Sequence, residues 1–207
     1  MLVSTCLSIS SVSAIPVWIN EIHYDNAGGD TGEFVEIAGA AGIDLAGGEL
    51  QFYNGASGTV YETKALSGTL ADSGNGYGFL SFFVSGIQNG APDGVALALG
   101  GSLLQFLSYE GSFDAIGGAA AGKTSTDIGV AESNSTAVGT SLQLLGTPDS
   151  GTWKAPSTAS PGVQNVGQVL PELLQSDESD PVPDSTSTLG LLGAALFLAF
   201  SLRRFRR

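Results

Sequence analysis

Two carboxylates, Glu21 and Glu36, stand inside otherwise apolar runs of this sequence. Paired acids are the usual catalytic groups of glycosidases, where one is the general acid and the other the nucleophile or base. No groove of aromatic platforms for sugar stacking is evident around them. A buried carboxylate without a partner is costly, so we expect both acids to be structural, satisfied by backbone groups or by lysines.

His23 is the only histidine in the chain. A Ser-His-acid triad would have to use it, but the sequence contains no Gly-x-Ser-x-Gly nucleophile motif. Catalytic zinc takes several His, Cys or acidic ligands, and this chain lacks that supply. We therefore expect His23 to be a surface or packed strand residue, and we expect no enzyme activity and no cofactor.

The segment from Asp25 to Glu33 is acidic and rich in glycine. Oxygen ligands on such a loop suit Ca²⁺, and the candidate ligands are Asp25, Asp30 and Glu33. Their spacing does not follow the EF-hand pattern. The sequence favours the competing interpretation, which is a solvated hairpin loop without a metal.

Strands must position these residues. Val17 to Tyr24 and Phe34 to Ile37 are rich in β-favouring residues, and the loop between them supplies glycines for a reversal. Further strands are predicted at Glu49–Tyr53, Val60–Leu66, Tyr77–Val84, Val95–Leu99, Leu103–Tyr109 and Ser141–Leu145. Closely spaced turn signals between them, such as Asn89-Gly90, are typical of an antiparallel sandwich.

Four aromatic residues crowd one predicted strand, namely Tyr77, Phe79, Phe82 and Phe83. A sugar-binding strip is one interpretation, and core packing is the favoured one. Residues 111–139 differ from the strands because they contain few large apolar side chains. We expect an ordered insertion or long loop over one edge of the sandwich, where loops often carry function.

Five segments in order resemble the lamin tail domain, an immunoglobulin-like β-sandwich. They are INEIHYD with GEFVEI, IDLAGGELQFYNG, QNGAPDGVALAL, SLQLLGT, and TWKAPSTASPGVQN. The resemblance implies an all-β, immunoglobulin-like antiparallel sandwich over residues 15–167. It implies no particular activity, because one fold serves many functions.

Charge is distributed unevenly along the chain. All twenty acids lie before residue 189, together with only three lysines (Lys64, Lys123 and Lys154). Four arginines lie among the last five residues of the sequence. Duplex DNA carries about one negative charge per 1.7 Å, so this acidic body would be repelled by it. We therefore expect no direct binding to nucleic acid. We interpret the many acidic residues as side chains of a solvated surface.

Residues 168–188 form an acidic linker rich in Pro and Ser, with too little apolar area to fold alone. Leu189 to Leu202 is then an apolar run of fourteen residues. As a helix it would be about 21 Å long, short of a hydrocarbon core of about 30 Å. Domain 189–207 is predicted to be a hydrophobic helix followed by an arginine stop, formed by Arg203, Arg204, Arg206 and Arg207.

The motif Val182, Pro183, Asp184 and Ser185 precedes this helix. Motif, helix and arginine cluster together resemble the PEP-CTERM class of sorting tails, most closely its Val-Pro-Asp-Ser-Gly variant, although Thr186 stands where that variant has Gly. The resemblance implies a membrane exosortase as processing partner. It also implies an inner-membrane intermediate, and then the cell surface, outer membrane or extracellular matrix of a Gram-negative-type bacterium.

Residues 1–14 are apolar and small, and Ala14–Ile15 fits a signal-peptidase site. The basic n-region is missing, so a start codon placed too far downstream is one expectation and a segment unrelated to secretion is the other. Cys6 is the only cysteine, so no disulfide can form within the chain.

These features predict an exported, non-catalytic surface or matrix protein. It would bind extracellular polysaccharide or other surface proteins. The alternative is an accessory targeting module for a secreted enzyme such as a nuclease.

Overall fold

The computed structural model describes residues 17–173, and every regular element in them is a β-strand. The strands are β1 (Val17–His23), β2 (Phe34–Ala40), β3 (Gly48–Asn54), β4 (Thr59–Ala65), β5 (Tyr77–Phe83), β6 (Asp93–Leu99), β7 (Ser102–Tyr109), β8 (Thr126–Asp127), β9 (Thr140–Leu145) and β10 (Thr152–Thr158). No helix in this range is long and apolar enough to cross a membrane. The all-β prediction is confirmed for these residues.

The strands form two five-stranded sheets. The first has the order β10-β9-β1-β2-β5 and the second β4-β3-β6-β7-β8. Pairing is antiparallel throughout except between β7 and β8, which run parallel. The predicted β3–β4 hairpin and the predicted pairing of the Val95 and Leu103 runs are both present.

One hydrophobic core joins the two sheets, as in a β-sandwich. Because side chains alternate along a strand, one face of each sheet supplies the core. Ile19, Val35 and Ile37 come from the first sheet, and Leu50 and Leu97 from the second, all fully buried. The apolar alternation of the sequence therefore sets the inner faces.

The outer faces of both sheets are covered as well. Residues 159–171, which we call the C-terminal strap, follow β10 and lie on the first sheet, where Gln168 is buried and Leu170 packs beside Trp18. Residues 111–139, the long connection, cover the second sheet with Phe113, whose neighbours are described below. The prediction that this segment is ordered is confirmed, and through β8 it also extends one edge of the sheet.

Residues after 167 still pack against the first sheet. Gln168 donates to the carbonyl of Gly146, and the hydroxyl of Tyr77 donates to the carbonyl of Pro171 at 2.9 Å. The predicted C-terminal hydrophobic helix lies outside the described residues.

Candidate functional site

Glu21 and Glu36 lie side by side on the outer face of the first sheet, as direct partners in the β1–β2 register. Both are fully buried. Glu21 accepts hydrogen bonds from the hydroxyls of Ser141 and Ser160 and from the backbone N–H of Ser160. These donors belong to β9 and to the strap, so Glu21 ties the strap to the sheet.

Glu36 has a similar role one strand away. Its Oε1 accepts from Asn20 Nδ2 at 3.0 Å, and its Oε2 accepts from Ser81 Oγ at 2.8 Å and from the Gly162 N–H at 2.5 Å. Burial raises the pKa of Glu36 to about 7 and the neighbouring Glu21 charge adds to the rise, although the three donors oppose it. The pair is satisfied by amide and hydroxyl groups and by no lysine.

This arrangement does not suit glycoside hydrolysis. A glycosidase needs both carboxylates in an open cleft beside the scissile bond, whereas Glu21 and Glu36 are beneath the strap with no exposed surface. Both carboxylates accept hydrogen bonds, and these hydrogen bonds hold the strap on the sheet.

His23 is also buried, at the end of β1. Its Nδ1 is 2.9 Å from Glu132 Oε1, and its Nε2 is 3.2 Å from the Thr31 carbonyl oxygen. Both ring nitrogens thus face acceptors, which favours the doubly protonated ring. Burial lowers the pKa of His23, but the hydrogen bond and charge of Glu132, together with hydrogen bonds to Thr31 and Asn26, raise it by more, so the pKa is raised overall.

Glu132 joins the long connection to the first sheet. Besides His23, it accepts the backbone N–H groups of Tyr24 at 2.6 Å and of Asp25 at 3.0 Å through Oε2. The His23–Glu132 contact is the only ion pair within residues 17–173. In that range no serine hydroxyl and no thiol is hydrogen-bonded to the ring of His23. The pair therefore joins the long connection to the end of β1 and is not arranged as part of a nucleophilic triad.

The three predicted calcium ligands separate in the structure. Asp25 is 4% exposed, Asp30 is exposed, and Glu33 is buried with Oε2 accepting the Gly86 N–H at 2.7 Å. No group of three or more His, Cys, Asp or Glu side chains among residues 17–173 is arranged to hold a metal. Only Asp25 and Asp30 stay close together, since Asp30 Oδ1 accepts the N–H of Asn26, the residue after Asp25, at 3.3 Å.

Three of the four clustered aromatics, Tyr77, Phe79 and Phe82, are buried, so core packing accounts for them. Phe83 is 60% exposed and lies against Phe34, with ring centroids 5.8 Å apart. The sugar-strip interpretation therefore reduces to one exposed ring.

Phe83 borders an open groove of about 370 Å³, which we call the Phe83 groove. Its walls include Phe34 and Val138, and Val138 is 64% exposed. A second groove of about 340 Å³, the Trp153 groove, lies between β7, β8 and the end of β9 with β10. Neither groove was predicted, because each gathers residues far apart in sequence.

The sequence analysis also missed Glu132, Asn165 and Gln168, which are buried polar residues outside the strands. Asn165 donates to the carbonyls of Asn20 and Leu144, both at 3.0 Å. No local pattern distinguishes these side chains from ordinary polar loop residues. Only their distant partners show what they do.

The remaining predicted site residues lie outside the described residues. They are the cleavage pair Ala14 and Ile15, the motif Val182, Pro183, Asp184 and Ser185, and the arginines 203, 204, 206 and 207.

Comparison with known proteins adds no assignment: no family model, no curated protein and no solved structure matches this chain.

Proposed function

We propose that this chain is an exported, non-catalytic surface or extracellular-matrix protein. Its working part is an immunoglobulin-like sandwich of the lamin tail type, which binds through its surface. The family-like segments support the fold assignment because each coincides with a strand or with the strap. INEIHYD falls on β1 and GEFVEI on β2, and the later segments fall on β3, β6, β9 and β10.

One observation carries the non-catalytic role. The side chains best suited to acid–base chemistry, Glu21, Glu36 and His23, are all buried and occupied in holding the strap and the long connection. The exposed features are of a different kind, namely two open grooves. The Phe83 groove has mainly apolar and aromatic walls, and the Trp153 groove has a mixture of polar and apolar walls. Concave apolar surfaces with a few polar groups suit binding.

Delivery is the second part of the proposal. The acidic linker, the Val182–Ser185 motif, the apolar run and the arginines stand in the order of an exosortase sorting tail. The enzyme would act on the membrane-held intermediate and pass the sandwich to the cell surface, outer membrane or matrix. Extracellular polysaccharide is the expected ligand class.

Fractionation of the producing bacterium tests delivery. The wild-type chain should leave the inner membrane, whereas a variant with Val182, Pro183, Asp184 and Ser185 all replaced by alanine should accumulate there uncut. Wild-type chain that stays uncut in the cytosol would contradict the proposal.

Retention on the matrix polysaccharide of the same bacterium tests binding. Phe83→Ala should reduce retention at least about tenfold if the Phe83 groove is the contact, as for a central aromatic anchor. Ile116→Ala is the matched control because Ile116 is 71% exposed and borders neither groove. Equal retention of both variants would exclude this groove. A secreted nuclease that co-purifies with the chain, without polysaccharide retention, would favour the accessory-module alternative.

A further inference from the structure

The loop between β1 and β2 contains a carboxylate that the protein itself does not satisfy. Asp25 is 4% exposed, and its Oδ1 finds no hydrogen-bond donor among residues 17–173. A buried charged oxygen without a partner costs free energy, and native structures rarely leave one unexplained. A cation or a hydrogen-bond donor beside Asp25 Oδ1 would therefore stabilise the folded chain.

The neighbours of Asp25 increase this demand. Asp30 Oδ1 accepts the N–H of Asn26, the next residue in the chain, at 3.3 Å, and Glu132 Oε2 accepts the N–H of Asp25 itself at 3.0 Å. Burial first, and then the charges of these two acids, raise the pKa of Asp25. The side chain of Asn89 is the one neutral group that opposes the rise. No lysine joins these acids, and the charge of His23 is already shared with Glu132.

The loop holds Asp30 in this position by internal contacts. Asn26 is fully buried, and its side chain donates to the carbonyls of Ala27 and Gly29 and accepts from the Thr31 N–H at 3.0 Å. Asp30 Oδ1 in turn accepts the Asn26 N–H at 3.3 Å. The two carboxylates therefore remain adjacent without any contribution from a ligand, and the second oxygen of Asp30 is left for one.

We propose that Asp25 and Asp30 together bind a divalent cation of the calcium type. The ligand set contains only oxygen, which suits hard cations, and Ca²⁺ accepts amide oxygens and water to complete its shell. Those further ligands would be water molecules at the exposed side of Asp30. Glu33 is not part of this site, because it binds Gly86.

The rival explanation is a proton shared between the two carboxylates, as occurs when like charges are adjacent. The two explanations differ in a measurable way. A shared proton stabilises the fold only below neutral pH and is indifferent to calcium. A bound cation stabilises the fold at pH 7.5 in proportion to its concentration.

The test uses the full chain in non-ionic detergent, stripped with EDTA and then titrated with CaCl₂ at pH 7.5. Tm should rise by about 5 °C at a hundredfold excess over Kd. Tb³⁺ should bind at the same site and show luminescence sensitised by Tyr24, which precedes Asp25 in the chain. Ca²⁺ should displace it.

Variants locate the site. Asp30→Asn should weaken calcium binding at least about tenfold, and Asp25→Asn should abolish the calcium response while raising Tm in EDTA, since the buried charge is gone. Asp149→Asn removes an exposed acid elsewhere and should respond as the wild type does. The terbium signal of the wild-type chain remains decisive should Asp25→Asn fail to fold.

Two results would overturn the proposal. One is the absence of both a calcium-dependent Tm shift and a displaceable terbium signal at millimolar Ca²⁺, with Tm rising only on acidification. The other is a calcium response that Asp149→Asn loses as much as Asp30→Asn does, which would place the cation on the general acidic surface.

Discussion

Both sheets bury their outer faces, but the chemistry of burial differs. On the first sheet the C-terminal strap is fastened by hydrogen bonds from Ser160, Gly162 and Asn165 to buried acids and backbone carbonyls. On the second sheet the long connection is held by apolar contact together with neutral hydrogen bonds, such as that from the Ala119 N–H to Gln51 Oε1 at 2.7 Å. Phe113 packs edge-on against Phe106 at 5.3 Å, above Ala96 and Tyr53.

The strap, or first cover, and the long connection, or second cover, therefore differ in the precision that their contacts require. Apolar contact is non-directional and tolerates small displacements. A hydrogen-bonded cover requires each donor to meet its acceptor, and one missing partner leaves a buried polar group unsatisfied. The strap, which is held partly by Glu36, should therefore respond to pH, and the packing of the long connection on the second sheet should not. The Glu132–His23 pair is a separate contact, because it joins the long connection to the first sheet.

The approach of the second cover is nevertheless close. Gly118 has φ of +69°, and a Cβ there would collide with Gln51 Oε1 and the hydroxyl of Tyr53. The same hydroxyl accepts the Ala120 N–H at 3.1 Å. Glycine at residue 118 thus combines a left-handed backbone with lack of space, and it lets the chain lie flat on the sheet.

Glu132→Ala should have the largest effect, because Glu132 is where the long connection also reaches the first sheet. The substitution leaves a buried His23 and two backbone N–H groups without their acceptor. We expect a loss of about 4 kcal/mol in the free energy of unfolding, the usual cost of removing one partner of a buried ion pair. Urea denaturation at pH 6 would measure it. A loss similar to that of an exposed-acid control, Glu62→Ala, would contradict the role of Glu132.

Phe113→Ala should cost about 3 kcal/mol, because it removes a large buried ring from the second cover. The loss should be the same at pH 5 and pH 8, since the titratable group in the ring cluster is Tyr53, and burial raises its pKa above the ordinary value of 10.0. Urea denaturation at the two pH values measures it, with Ile116→Ala as the exposed control on the same segment. A clear pH dependence of the loss would remove the distinction between the two covers.

The first cover should weaken as pH rises. The pKa of Glu36 is about 7 in the folded chain against 4.5 for the free group, so the folded state retains a proton that the unfolded state has released. Stability is then fully present below pH 4.5 and is lost as pH rises through 7, by about 3 kcal/mol in total. Denaturation curves between pH 4.5 and 8 give the slope.

Glu36→Gln is the matched variant for this slope. It should remove most of the pH dependence, and the part that remains should come from His23. The pKa of His23 is also raised, so its contribution is present at low pH and is lost as pH rises through the folded value. An unchanged slope in Glu36→Gln would show that the proton is held elsewhere.

Asn165→Ala should have the smallest effect of the four, about 2 kcal/mol, because two carbonyls lose a neutral donor. The loss should be local to the strap. Hydrogen exchange at the amides of Ser160 and Gly162 should accelerate more than exchange in the second sheet. Val166→Ala, 76% exposed on the same segment, should leave both rates as they are.

The sequence predicted the strands well where apolar alternation is strong. Val35 and Ile37 face the core as expected, and Val95 and Leu97 do so on the second sheet. The covers were harder to predict, because the strap has no periodic pattern. Its order depends on acceptors such as Glu21, which are more than a hundred residues away.

The candidate site residues show the same limit of local sequence patterns. The buried acids were noticed because a charge inside an apolar run is locally anomalous. Their partners were not, since Ser160 and Gly162 lie in an ordinary turn. Asp25 was expected in a solvated loop, and its burial follows from Glu132, which closes over it from the long connection.

β5 connects the last contact of the strap with the Phe83 groove. The strap ends beside Tyr77, at the first residue of β5, and Phe83 is the last residue of that strand. Six steps of about 3.3 Å separate them, roughly 20 Å. The Phe83 groove and the last contact of the strap therefore lie at opposite ends of β5.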